Sequence, residues 1–311
     1  MLKLDLWQAF ERHLRKMVCR LADPDEIARL PQLNGSLDQM NKSVLLYMEI
    51  LDNWKRATVR PRPRKVHFSD VLTAAPRYSE CEPRILKIQH LLETGSSELN
   101  DPRRRYFSRL VERILDRKQQ RVRLDRILVE WGIYHFHLGE GKRTKDLLFA
   151  LVRENDAYFI DVCDHDDFTN VTPLEIAQRN WPQLFDDLPG IHGSRFTAEH
   201  IGNLRRQNAN FSPDINGLAL MPRDMVTCAG GTARILTECD WMMVTLLENQ
   251  RQLCTPGSEL RRQLANVVRI AEDVMDLEVV DDDNNFGDRI LLKEASTGEK
   301  VGLRFSLFEG S

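Results

Sequence analysis

Apolar residues at the start of the chain recur at intervals of three and four. Leu4, Trp7, Phe10, Leu14, Val18 and Leu21 fall on one helical face, which predicts an amphipathic helix over residues 4–21 stopped by Asp23-Pro24. Met40, Val44, Tyr47, Met48, Leu51 and Trp54 form a second stripe. It predicts a helix over residues 36–55 with Ser36 as its cap. The period is then broken by KRATVRPRPRKVHF, where Arg60, Arg62, Arg64 and Lys65 alternate with Pro61 and Pro63. Proline forbids a helix there, so an extended, solvated linker or arm is expected. Helical spacing returns over residues 82–93 and ends near Gly95. Two further helices are expected at residues 105–118 and 122–131.

After Gly132 the pattern shortens to apolar runs at residues 133–138, 147–152 and 157–162, separated by polar loops. These read as a small sheet with hairpin connections. A helix over residues 173–179 leads into Asn180-Trp181-Pro182, where the proline closes the unit. Further on, Thr197 can cap a helix over residues 197–207, and Asn216-Gly217 between two apolar runs signals a hairpin turn. Residues 228–232 form a glycine-containing turn. A long helical stretch over residues 236–276 is interrupted at Thr255-Pro256-Gly257. The chain ends in strand-like runs at 277–280, 289–293 and 300–307. Together these elements predict an α+β fold in three blocks: a helical basic N-terminal region (1–118), a small antiparallel sheet unit (119–190) and an acidic α+β C-terminal domain (196–311).

Charge refines this picture only when it is resolved along the chain. The total of 44 Lys+Arg against 47 Asp+Glu gives a net charge of −3. Residues 1–150, however, carry 29 basic and 20 acidic side chains, and residues 151–311 carry 15 and 27. A basic half facing an acidic half points either to a polyanionic partner or to internal complementarity. The densest basic run holds ten Lys+Arg between Arg103 and Arg126: Arg103, Arg104, Arg105, Arg109, Arg113, Arg117, Lys118, Arg121, Arg123 and Arg126. On a helix Arg105, Arg109 and Arg113 would stack on one face and could track a phosphate backbone.

No run approaches the roughly 18 apolar residues of a membrane helix, and the first residues lack the apolar region of a secretory signal. A cytoplasmic protein without membrane contact is therefore expected. The six cysteines, Cys19, Cys81, Cys163, Cys228, Cys239 and Cys254, are scattered without zinc spacing and read as reduced small hydrophobes.

The candidate chemistry lies in residues 132–168. Alternation along a strand places His135 and His137 on one face, expected to be solvated, with Tyr134, Phe136 and Leu138 toward the core. Arg143 lies in the following loop, Tyr158 and Asp161 on the third run, and His165 just beyond it. Histidines beside an arginine and a tyrosine suit phosphodiester cleavage. One imidazole deprotonates a ribose 2′-OH, another protonates the leaving oxygen, and the cation stabilises the phosphorane. The same side chains also admit two other readings: an N/O metal-ligand set of His135, His137, Asp161 and His165, or a purely structural role. No metal or other cofactor is called for.

The run LDRILVEWGIYHFHLG, followed by KRTKDLLFALV, AYFIDVCDH and IAQRNWP, resembles an uncharacterised family of bacterial proteins. Its members read WGIHH-HL, RT, LLFA, YFI, a histidine and a closing NWP. The resemblance covers roughly residues 82–185, departs from the family at Tyr134, and implies a bacterial or phage-borne origin. In plan, a basic helical pair before a small sheet bearing His, Arg and Tyr is also similar to RelE-type endoribonuclease toxins, which implies RNA cleavage without a metal. The expectation is thus a nuclease, an endoribonuclease-type toxin or anti-phage effector. His135, His137, Arg143, Tyr158 and His165 would do the chemistry and the Arg103–Arg126 run would hold RNA in preference to DNA. The acidic C-terminal half would engage a protein partner. The competing expectation is a non-enzymatic adaptor or sensor in a multi-component defence system.

Overall fold

The structure is a computed structural model, described for residues 6–21, 37–100, 115–116, 121–122, 124–139, 145–228, 230–269, 277–280 and 289–304. In chain order its helices and strands are α1 (Leu6–Leu21), α2 (Leu37–Ala57), β1 (Lys65–Phe68), α3 (Tyr78–Thr94), β2 (Leu115–Asp116), β3 (Arg121–Val122), α4 (Arg126–Trp131), β4 (Ile133–His137), β5 (Leu147–Val152) and β6 (Asp156–Cys163). Then come α5 (Thr172–Asn180), α6 (Ala198–Arg206), β7 (Asp214–Ile215), β8 (Leu218–Ala219), α7 (Ala233–Cys254), α8 (Glu259–Val268), β9 (Leu277–Val280), β10 (Arg289–Glu294) and β11 (Lys300–Arg304). The fold is α+β. Among the described residues no helix is long and apolar enough to cross a membrane.

The chain divides into two compact units, residues 53–234 and the two ends together, 1–52 with 235–311. These run along different lines from the three consecutive blocks expected. In the unit formed by the ends, β9, β10 and β11 make an antiparallel sheet in the order β11-β10-β9. The break between α7 and α8 falls at Thr255-Pro256-Gly257, where Ser258 caps α8 by accepting from Arg261 N–H.

The unit 53–234 is built on a four-stranded sheet in the order β1-β6-β5-β4. β4, β5 and β6 are antiparallel neighbours, as the hairpin connections predict. β1 corrects the expectation of an all-antiparallel sheet and of a solvated arm, because it pairs with β6 in parallel. The prolines hold the approach to β1 extended, and Arg64 anchors it. Its side chain, 7% exposed, donates to the carbonyls of Arg60, Arg62 and Arg153.

Both faces of this sheet are covered. Phe136, Leu148, Ala150 and Phe159 pack with Ile85, Ile88, Leu91 and Leu92 of α3. On the other face Ile133, Phe149, Leu151 and Ile160 pack with Trp131, Leu174, Ala177 and Trp181. His135 and His137 belong to this second face, so the solvated face expected for them is a covered one. At residues 115–122 two short strands pair Leu115 with Val122 and Asp116 with Arg121, which corrects the helices expected to run through 118 and to start at 122. The helix before Gly132 is only α4, begun where Asp125 accepts from Leu128 N–H at 3.2 Å. The hairpin at Asn216-Gly217 forms as its sequence predicts, with φ of 54° and 85° at the two turn residues.

Candidate functional site

Gly132 sets the site's geometry. Its φ of +68° ends α4 in the left-handed conformation, which turns the chain directly into β4. The start of α4 thereby lies against the middle of β4. Asp125 Oδ2 sits 3.1 Å from His135 Nδ1 while the same carboxylate caps α4. Burial alone would raise the Asp125 carboxyl. The charge of the adjoining His135, the Leu128 N–H and the Arg205 guanidinium outweigh that and hold it below the usual range.

Two residues on, His137 is 9% exposed. Desolvation first, then the neighbouring His135 and His165, lower its imidazole from 6.5 to about 4. The ring centroids of His135 and His137 are 6.1 Å apart, as are those of His137 and His165. The three therefore form a row running from the sheet to the surface, where His165 is exposed. A short turn, His165–Thr169, carries the last of them. Asp164 accepts from Asp166 N–H, and Asp167 accepts from Asp164 N–H, each at 2.9 Å. Arg77 ties this turn back to α3, with Asp164 at 3.2 Å.

Phe168 closes the row. Its ring meets His135 edge-on at 5.0 Å and His165 at 5.7 Å, and rests 5.5 Å from Phe149. Arg205 of α6 holds this corner by donating to the Phe168 carbonyl and, at 2.9 Å, to Glu130 Oε2. Glu130 is 2% exposed and also accepts from Arg126 Nε at 2.6 Å. Arg126 is thus an internal ion-pair partner, which removes it from the basic surface expected to hold RNA.

The structure brings His135, His137 and His165 together and sends Tyr158 elsewhere. Tyr158 pairs across the sheet with Leu151, which pairs with Ile133, one step along the strands from the row of His135. It stacks on His67 at 4.9 Å and approaches Trp181 at 5.0 Å. His67 in turn meets Asp156 at 2.8 Å. A bulge in β6 lets Phe149 pair with Asp161 directly after Ala150 pairs with Phe159. Asp161 therefore shares the face of His135, and its carboxyl is raised, chiefly by burial.

Arg143 lies outside the described residues, as do Arg103, Arg104, Arg105, Arg109, Arg113, Arg117 and Arg123; the backbone of Arg121 is in β3. Among the described residues no group of three or more His, Cys, Asp or Glu side chains is arranged to hold a metal ion. The set His135, His137, Asp161 and His165 accordingly does not form one.

Asp125, Glu130, Arg205 and Phe168 were not singled out from the sequence. Asp125 alone carried a signal, as a capping residue directly before the apolar run of α4. The chain matches no model of a known protein family, and neither curated proteins nor solved structures give a match.

Proposed function

We propose that the unit 53–234 is a nuclease acting on RNA by general acid–base catalysis, of the kind found in bacterial toxins and anti-phage effectors. The observation that carries the proposal is the row His135–His137–His165 with an ionised Asp125 behind its first member. His137, neutral above about pH 4, can accept the proton of a ribose 2′-OH. His135, with the Asp125 carboxylate 3.1 Å from its Nδ1, can protonate the departing 5′-oxygen. The cleaved strand would then end in a 2′,3′-cyclic phosphate. His165, at the exposed end of the row, is placed to meet the substrate phosphate, and the basic run at 103–123 supplies non-specific affinity for the polyanion.

The test is cleavage of a labelled single-stranded RNA by purified protein, with the product ends identified. The proposal expects cyclic phosphate ends, and rates lowered about 100-fold or more by His135→Ala and by His137→Ala, each variant retaining the far-ultraviolet circular dichroism of the parent. Intact RNA after prolonged incubation with and without divalent metal ions, together with silent variants in cells, would sink it.

A second reading is supported by a different observation. α7 exposes Leu236, Trp241, Val244 and Leu247 at 39–63%, an apolar strip suited to a protein partner. It favours the adaptor role, for which His135→Ala would leave every activity intact.

A further inference from the structure

On the opposite face of the sheet from the histidines, Tyr134 is ringed by guanidinium groups. Its hydroxyl donates to the Arg56 carbonyl at 2.7 Å. The charges of Arg223, Arg64, Arg153 and Arg56 all act on it. These arginines are linked physically as well. Arg64 Nε donates to the Arg153 carbonyl at 2.8 Å, Arg56 meets Asp224 at 2.5 Å, and Arg234 meets the same carboxylate at 3.7 Å. Arg153 and Arg223 converge on Gly132. A Cβ built there would lie 2.5 Å from Arg223 Nη1 and 3.2 Å from Arg153 Nη1, so both guanidinium tips close on one point of the backbone.

Among the described residues the cluster is short of negative charge: five guanidinium groups face two carboxylates, Asp224 and Asp186, and Asp224 is already engaged by Arg56 and Arg234. Among the described residues neither Arg153 nor Arg223 has a carboxylate within ion-pair distance. Arg153 Nη1 is enclosed and has no hydrogen-bond acceptor. Burial, then the charge of Arg223, lowers Arg153 from 12.5 to about 10. Burial and Arg56 lower Arg223 in the same way. Both remain cationic at neutral pH. Like charges held this close are unfavourable unless an anion joins them, and two guanidinium forks match the oxygens of a phosphate. Arg223 reaches solvent while Arg153 is half-buried, which leaves a small anion a way in.

We propose that Arg153 and Arg223, backed by Arg56 and Arg64 around Tyr134 and Gly132, form a binding site for a small phosphate dianion. The site gathers at the end of the sheet where β4 begins and β5 ends and stands independently of the nuclease reading.

The experiment is thermal unfolding and calorimetric titration of the full chain with inorganic phosphate, and separately with glycerol 3-phosphate, against sodium chloride at matched ionic strength. Saturable stabilisation by either phosphate is expected, inorganic phosphate identifying a free ion and glycerol 3-phosphate a monoester. Arg223→Gln and Arg153→Gln should each weaken the affinity about tenfold or more. Arg223→Lys, which keeps the charge but loses the fork, should fall between. In phosphate-free buffer the Gln variants should be at least as stable as the parent, because like-charge repulsion is relieved. A response to phosphate no greater than to chloride, or one unchanged in Arg153→Gln and Arg223→Gln, would overturn the proposal. So would loss of stability in phosphate-free buffer with the phosphate response intact, which marks the arginines as structural.

Discussion

His137 shows most directly what burial does to a candidate catalytic group. Its imidazole, held near 4 instead of 6.5 by desolvation and by two neighbouring histidines, is neutral across the physiological range. It is thus a proton acceptor and not a donor. A histidine whose folded value lies below its unfolded value binds fewer protons when folded. Stability is therefore fully present above about pH 6.5 and is lost as the pH falls toward 4. Between pH 7 and pH 5 the contribution lost is about 2 kcal/mol. Urea unfolding at the two pH values should show that loss in the parent and a markedly flatter profile in His137→Gln. If the two proteins lose stability in parallel, His137 is not held neutral by the fold. The same group sets the acid side of the rate profile: cleavage should persist down to about pH 4 to 5 and fail below it. The row that His137 joins was legible from the alternation Ile133, His135, His137, because strand period alone puts the three on one face. His137, however, is buried where the alternation implies a solvated face. The uninterrupted apolar run of β5, Leu147 to Val152, is what a strand covered on both faces looks like, and it was the available sign that the histidine face would not be solvated.

Elements differ in how openly the sequence declares them. β4, β5 and β6 are evident because each is a short apolar run bounded by polar turns. The β7–β8 hairpin is evident because Asn216-Gly217 suits the positive φ the turn demands. β1 is hidden, since its approach is built of prolines and arginines, and its strand pairing depends on partners about 90 residues away. The β2–β3 pairing is hidden for the opposite reason. Its residues have helical spacing, and only the local pairing of Leu115 with Val122 and Asp116 with Arg121 overrides it. α4 joins fold and site, since one carboxylate serves both. Asp125 caps the helix and faces His135. The two roles separate by substitution. Asn caps nearly as well as Asp, whereas Ala gives up the cap at a cost of about 1 kcal/mol. Asp125→Asn should therefore keep the stability of α4 while removing the negative charge beside His135 Nδ1. Cleavage should fall. Asp125→Ala should lose both, with a further drop in the unfolding midpoint. An unchanged cleavage rate in Asp125→Asn would remove this carboxylate from the mechanism and leave it as a cap alone.

At the scale of the whole molecule, the compact units redraw the charge division. Residues 53–234 hold 29 Lys+Arg against 24 Asp+Glu, and the two ends together hold 15 against 23. The opposition of a basic half and an acidic half is thus softened in the middle unit, where Asp164, Asp166 and Asp167 at the His165 turn offset part of the basic run. A cut at residue 196 would pass through the middle unit, since α6, β7 and β8 belong to it. Truncation there would report on folding before it reported on charge. The basic run is better tested in place. Neutralising phosphates releases condensed counterions, so the logarithm of RNA affinity falls with the logarithm of salt concentration by about 0.7 per contact on single strands. Changing Arg103, Arg104 and Arg105 to Gln should reduce that slope by about 2 if all three touch phosphates. It should weaken binding to unrelated sequences alike, because phosphate contacts carry no base information. Filter binding across 50 to 300 mM salt, on the order of the range where such slopes are linear, reads this directly. A slope equal to the parent's would place the run outside the RNA contact and return its charge to ordinary solvation. Loss of affinity with an unchanged slope would instead indicate that the substitutions disturb folding of the middle unit, a difference that urea unfolding of the same variant would register.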